Sequence, residues 1–135
     1  MAAARRMLWM APAGGFVAAG VWALRTWDPN LPGNPFLGCV FYAATGLHCP
    51  GCGATRALHA LVHFDLAGAL AMNALLILGG PLGLLLVLRA LQQLPASFEP
   101  WLRPLARPWL WVGLVAGFGV LRNLPWAPFS WLAPG

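Results

Sequence analysis

Long apolar runs bounded by arginines dominate the pattern of hydrophobic and polar positions along the chain. The first run, residues 7–24, has no charged residue, and the second, residues 66–88, has none either. A third run, residues 108–124, is apolar until its last turn. An α-helix needs about 20 apolar residues to cross a bilayer. The pattern therefore predicts three transmembrane helices, at about residues 7–25, 66–88 and 108–124.

Features within and between these runs refine the prediction. The basic start and apolar stretch of residues 5–24 are also typical of a secretory signal peptide. No small-x-small cleavage site follows before Arg25, so we expect an uncleaved membrane anchor. The Gly-Gly-Pro-Leu-Gly sequence at 79–83 predicts a kink in the second span. The proline-containing residues 92–107 are expected to form a polar connection to the third span.

Residues 28–65, between the first two spans, have a different pattern. They open with Pro, Asn and Gly residues that are typical of turns. The apolar residues 36–47 are too few to span a bilayer, which favours a short re-entrant or interfacial segment. After the Cys-Pro-Gly-Cys-Gly sequence at 49–53, we expect a helix from Ala54 or Thr55 that lies in the membrane interface. The fold class predicted is an all-α membrane protein forming a single domain over residues 1–135.

Composition supports the bilayer as the solvent of this chain. Of its 135 residues, 60% are hydrophobic and 8% charged, and the mean hydropathy is +0.71. A soluble domain carries roughly a quarter of its residues as charged side chains. The net charge of +5 comes from eight scattered arginines, which argues against a nucleic-acid-binding face because such a face needs clustered cations. The eight tryptophans lie toward the ends of the spans, as an aromatic belt would.

The arginines also predict an orientation. With the N-terminus inside, five arginines lie on the cytoplasmic side and three on the outer side. The positive-inside rule therefore favours a cytoplasmic N-terminus and an external CPGCG segment. Three spans place residues 28–65 and 122–135 on the same side in either orientation. The expected location is the cytoplasmic (inner) membrane of a bacterium.

The side chains capable of soft-metal or thiol chemistry concentrate in one stretch. All three cysteines and all three histidines fall within residues 39–63. Cys49 and Cys52 form a Cys-x-x-Cys pair near a helix start, where the helix dipole stabilises a thiolate. This arrangement favours a disulfide or a membrane thiol–disulfide redox site, with Cys39 as a third thiol.

A metal site is an alternative interpretation of the same stretch. Cys49, Cys52, His59 and His63 offer two sulfurs and two imidazoles, a ligand set that zinc accepts. In the competing interpretation, the two histidines are polar residues of the interface. The chain lacks a serine nucleophile beside a histidine–carboxylate pair and has three carboxylates in total, which argues against hydrolytic and acid–base chemistry.

Polar residues at the ends of the spans must find partners at membrane depth. Asp65 precedes the second span, where a carboxylate favours a helix N-terminus. We expect Arg122 or Arg56 to pair with Asp65, and Thr55 to cap the helix after the cysteines.

Several of these stretches together resemble a known family. Cys49-Pro-Gly-Cys-Gly-Ala-Thr-Arg-Ala57, the Asp65 and Asn73 positions, and Arg122-Asn-Leu-Pro125 are similar to the domain of unknown function 2752 (DUF2752) family of small bacterial membrane proteins. Phe64 stands where that family usually has Gly, and Ala74 where Pro usually follows Asn, which predicts a helix continuous with the second span. The resemblance marks these positions as motif residues: Cys49, Pro50, Cys52, Gly53, Thr55, Arg56, Ala57, Asp65, Asn73, Arg122, Asn123 and Pro125.

The family resemblance implies a membrane location without an established biochemical role. Grouping its residues by side of the membrane predicts one packed polar cluster of Cys49, Cys52, Arg56, Asp65 and Arg122. The function expected is that of a non-enzymatic integral membrane protein, an accessory subunit of a larger membrane complex with lipid and other subunits as partners. The alternatives are a redox protein using Cys49 and Cys52, and a Cys/His metal-binding protein. The sequence identifies no cofactor.

Overall fold

The computed structural model describes the backbone of residues 2–134 and the side chains of Pro12 and residues 14–134. Within this range the chain is helical and contains no β-strand, which confirms the all-α prediction. The helices, in chain order, are α1 (Ala2–Thr26), α2 (Val40–Thr45), α3 (Ala54–Val62), α4 (Leu66–Ala90), α5 (Glu99–Leu105) and α6 (Pro108–Leu121), with 3₁₀ turns at Ala96–Phe98 and Phe129–Leu132.

One helix of the described chain, α4, is long and apolar enough to cross a membrane. Its bounds agree closely with the predicted second span, and its side chains lie mostly on the surface of the chain. At 14 residues, α6 alone is about 21 Å long, which is shorter than the hydrocarbon core. Residues Ala96–Leu105 and Pro108–Leu121 together form a second candidate crossing that is bent by 51°.

The predicted first span and the predicted polar connection at 92–107 compare differently with the structure. The backbone of α1 covers the predicted first span, but several side chains of that span lie outside the described residues, so the span stays a prediction. The expected polar connection at 92–107 contains helix α5. The sequence did not predict this helix, because its prolines are typical of turns and loops. Its Leu102 is among the most buried residues of the described chain.

A tight turn separates α3 from α4, so the predicted continuity of these helices is wrong. Phe64 takes a positive φ of 64° there, although its bulky side chain is 88% exposed. The Asp65 side chain then accepts a hydrogen bond from the Gly68 backbone N–H at 2.8 Å and caps α4. The Asp65 carboxylate therefore lies at the N-terminus of α4, as expected.

Helix α3 packs against both α4 and α1. The His59 ring nitrogen Nδ1 lies 2.7 Å from the Leu24 carbonyl oxygen, and the Arg25 guanidinium donates to the Val62 carbonyl at 3.2 Å. The buried residues of the described chain are few, and Arg122 and Asn73 are the largest of those that are fully buried. The centre of the packed region is therefore polar, and it lies where α3, α4 and the end of α6 meet.

Candidate functional site at the cysteine turn

The residues that meet at this polar centre belong first to the cysteine turn, residues 49–53. Within it the Cys52 N–H donates to the Cys49 carbonyl at 3.0 Å, and the Ala54 N–H donates to Gly51. Gly53 ends the turn with a φ of 77° and occupies the N-cap of α3. A Cβ at this glycine would lie 2.5 Å from the Met72 carbonyl oxygen of α4. The turn therefore approaches α4 backbone to backbone, at a position that only glycine permits.

Asn73 breaks α4 at the point of this approach. Its backbone leaves the helical region, with φ −157° and ψ 87°. Its side-chain amide donates to the carbonyls of Pro50 and Cys52 at 3.0 and 3.1 Å, and its Oδ1 accepts from the Leu76 N–H. The non-helical residue in α4 is thus a polar side chain bonded to the turn. The kink predicted at 79–83 is misplaced, because Asn73 rather than Pro81 interrupts the helix.

Arg122 reaches the same carbonyl groups from the end of α6. Its Nη1 donates to the carbonyls of Cys49, Pro50 and Cys52 at 2.9, 3.3 and 3.1 Å. Its Nη2 donates to the Met72 carbonyl, which the break at Asn73 leaves available. The side chain is 1% exposed. Of the two arginines expected as partners of Asp65, Arg122 instead bonds to backbone carbonyls through both of its Nη atoms, and the pairing of Arg56 with Asp65 stays a prediction.

Asn123 binds the backbone of His48, directly before the cysteine turn. Its Oδ1 accepts from the His48 N–H at 2.8 Å, and its side-chain N–H donates to the His48 carbonyl at 2.8 Å. The amide thus pairs with one residue's backbone as a neighbouring strand would. The Pro50 ring packs closely over Gly119, where a Cβ would lie 2.9 Å from the ring. We call Asn73, Arg122 and Asn123 the polar clamp.

Three thiols converge beside the polar clamp. The Cys49 Sγ lies 3.4 Å from the Cys39 Sγ and 3.1 Å from the Cys52 Sγ. All three sulfur atoms lie within 4.8 Å of one another, and all three cysteines are free thiols. Cys39 reaches this group from the N-cap of α2. Cys39 was expected as a third thiol of the redox site and was not among the expected metal ligands.

The two histidines of that ligand set lie elsewhere. His59 contacts Leu24 of α1 and lies 3.7 Å from the Asp28 carboxylate. The His63 Nδ1 lies 2.8 Å from the His59 carbonyl oxygen. The structure therefore does not assemble Cys49, Cys52, His59 and His63, and brings the two cysteines together with Cys39 instead.

The surroundings of Cys39 and Cys52 shift the pKa values of their thiols in opposite directions. A backbone hydrogen bond at Tyr42, together with bonds to the other two thiols, lowers the pKa of the Cys39 thiol to about 7. Burial, together with bonds to the neighbouring thiols, raises the pKa of Cys52 to about 12. Burial also lowers the pKa of His48, and the nearby Arg122 charge acts in the same direction. The pKa of the half-buried Cys39 thiol is therefore lower than that of the buried Cys52 thiol.

The remaining predicted residues are Thr55, Arg56, Asp65 and Pro125. The N-cap of α3 is Gly53 and makes no side-chain cap bond, so the predicted capping role of Thr55 is wrong. Asp65 caps α4. Arg56 is half-buried on α3, and Pro125 is exposed beyond α6. Of the predicted polar cluster, Cys49, Cys52 and Arg122 come together.

Comparison with known proteins now places part of this region in a family. The family of proteins of unknown function DUF2752 matches residues 39–87. The match covers 49 of the 135 residues and supports membership of that family. The DUF2752 segment contains all three thiols and Asn73, whereas Arg122 and Asn123 of the polar clamp lie beyond it. No curated protein and no solved structure matches the chain.

Proposed function

We propose that this chain is a small three-span integral membrane protein in which the cysteine turn is a structural element. The observation that carries the proposal is the polar clamp. Arg122 and Asn73 donate to the carbonyl groups of Cys49, Pro50 and Cys52, so the turn is joined to two long helices. Because Arg122 is buried and both of its Nη atoms donate to backbone carbonyl groups, it holds the turn rigidly against α4.

Three spans agree with these contacts. Helix α1, helix α4 and the bent pair ending in α6 would each cross the bilayer once. This topology puts residues 28–65 and the tail after residue 121 on one side, and His48 does bond to Asn123. The Gly53 backbone likewise lies close to Pro134. The arginine distribution supports a cytoplasmic N-terminus and an external turn in a bacterial inner membrane.

A role as an accessory subunit is part of the same proposal. Large apolar side chains cover much of the described surface, and many lie on α4 and α6. Lipid or the apolar face of another membrane protein would solvate them.

The topology is tested by labelling with a membrane-impermeant maleimide. The reagent is large enough that each labelled cysteine produces a visible shift of the protein band on a gel. The exposed residues Thr45, Ser97 and Ser130 are each changed to Cys in the full chain, and the added shift is compared with that of the unaltered chain. We expect Thr45→Cys and Ser130→Cys to be labelled in intact cells, and Ser97→Cys only after permeabilisation. An N-terminal epitope tag should also need permeabilisation.

Two results would contradict this topology. Labelling of Ser97→Cys and Ser130→Cys from the same side would show that α6 does not cross the bilayer. Exposure of the N-terminal tag on intact cells, with Thr45→Cys also labelled, would remove the first span.

A thiol–disulfide function is the second candidate, and one observation favours it. The Cys49 Sγ lies within 3.4 Å of both other sulfur atoms, so it could bond to either with little movement. Oxidation would join the Cys49 and Cys52 sulfurs, which lie 3.1 Å apart, and pass two electrons and two protons to an acceptor such as a quinone. Loss of electron transfer in both Cys49→Ser and Cys52→Ser, with the fold retained, would favour this candidate over a structural turn.

A further inference from the structure

The three thiols form a group of ligand atoms that the structural role of the turn does not use. The clamp binds the carbonyl groups of the turn, whereas the Sγ atoms lie together on the side reached by Cys39. Cys39 and Cys49 are half-buried and Cys52 is buried. An ion could therefore enter past Cys39 and Cys49 and meet the third sulfur inside.

The spacing of the sulfur atoms suits a single cation. A metal ion about 2.3 Å from each of three sulfurs in a plane holds them about 4 Å apart. The Cys49 Sγ lies 3.1 and 3.4 Å from its two neighbours, and no pair of the three exceeds 4.8 Å. Adjustments of less than about 1 Å would reach this geometry, which side-chain rotation of cysteine can supply.

Two groups near the sulfur atoms would offset part of the cost of burying thiolates. The Cys49 backbone N–H lies 3.1 Å from the Cys52 Sγ and donates to it. The buried Arg122 guanidinium, which bonds to the carbonyl groups of Cys49 and Cys52, adds a positive charge next to the two sulfurs. Its Nε is buried and has no hydrogen-bond partner. Three thiolates with one monovalent cation carry a charge of −2, which this arginine partly offsets.

The donor set points to a soft ion. Among the described residues, the group of potential metal ligands consists of sulfur atoms alone, and His59 and His63 are engaged at α1 and within α3. Thiolates select Cu(I), zinc and iron–sulfur clusters, and structural zinc almost always takes four ligands. Three sulfurs without an imidazole or carboxylate therefore suit Cu(I) better than zinc.

We propose that Cys39, Cys49 and Cys52 bind one soft d¹⁰ cation, Cu(I), through three thiolates. Binding displaces the three thiol protons and forms three Cu–S bonds, with no change of oxidation state. The His59 and His63 ligands of the sequence-based metal hypothesis have no part in this site.

The experiment titrates the reduced full chain in detergent micelles with Cu(I), without oxygen, against the chelator bicinchoninate. We expect one Cu(I) per chain and an X-ray absorption spectrum with three sulfur ligands. Cys39→Ser should weaken Cu(I) binding at least tenfold. Because Cys39 is half-buried at the end of a short helix, this variant is the one least expected to perturb the fold. His59→Gln with His63→Gln is the matched control and should bind as the unaltered chain does.

A second readout does not depend on the chelator. Cu(I) should raise the melting temperature of the unaltered chain, because it binds the folded state, and should not raise that of Cys39→Ser. Retained affinity in Cys39→Ser, or lost affinity in the histidine control, would overturn the proposed ligand set. Binding of Zn(II) without Cu(I), or a native disulfide found by mass spectrometry in chain isolated without reductant, would overturn the assignment of the ion.

Discussion

At the scale of single residues, the positions that matter most are those whose partners are distant in sequence. Cys49, Cys52 and Arg122 were expected in one cluster with Arg56 and Asp65, and the structure brings these first three together. Neither the helix break at Asn73 nor the bond between Asn123 and His48 could be read from the local pattern. The signal for Asn73 was its lone amide in an apolar run, since a polar group at that depth requires a partner.

Gly53 offers a test at this scale. Gly53→Ala should lower the free energy of unfolding by at least about 2 kcal/mol, because a left-handed backbone costs an L-residue about 1–2 kcal/mol and the new methyl group meets the Met72 carbonyl. Gly51→Ala is the matched control, since its Cβ would have only the Cys49 Sγ nearby, at 3.9 Å. Denaturant unfolding in micelles measures both. Equal losses for the two variants would contradict the backbone approach seen here.

At the scale of elements, local patterns predicted helices well and their junctions less well. The start of α3 at Ala54 and the extent of α4 were anticipated from the turn sequence and the apolar run. The junction between them was not, because Phe64 adopts a conformation that its side chain disfavours. Tertiary packing of α3 against α4 and α1 overrides that local preference.

Substitution of Phe64 tests this interpretation of the junction. A β-branched residue is especially disfavoured at positive φ, whereas glycine is not. We expect Phe64→Val to be less stable than Phe64→Gly by about 1–2 kcal/mol. Since the side chain is 88% exposed, lost packing should contribute little to either variant. Thermal unfolding of the two proteins in the same detergent makes the comparison, and equal stability would mean that α3 and α4 form a continuous helix in the membrane.

At the scale of the whole molecule, one arginine connects the chain's last long helix to its centre. Arg122 donates to four carbonyl groups, one of them on α4 and three in the cysteine turn. Sequence alone showed a charge at the end of an apolar run and suggested a carboxylate partner. The correct partners are backbone atoms exposed by a turn and a helix break, which residue types do not reveal.

Replacement of this arginine should therefore affect the whole fold. Arg122→Gln should lower the free energy of unfolding by at least about 3 kcal/mol, because charged hydrogen bonds contribute about 1.5–3 kcal/mol each. It should also raise the rate at which iodoacetamide modifies Cys52, the buried thiol. Arg103→Gln, at an exposed position on α5, should change neither quantity. An unchanged Cys52 rate in Arg122→Gln would show that the clamp does not hold the turn.

The polar clamp also has a consequence for the time at which the turn can form. The Cys49 carbonyl and the Arg122 side chain that binds it are 73 residues apart. During synthesis the cysteine turn emerges long before Arg122. The carbonyl groups of the turn therefore lack their arginine partner until the end of α6 has been made. A nascent chain that stops before α6 is complete presents three open thiols. Synthesis of α6 and Arg122 is thus the step that completes the contacts of the cysteine turn.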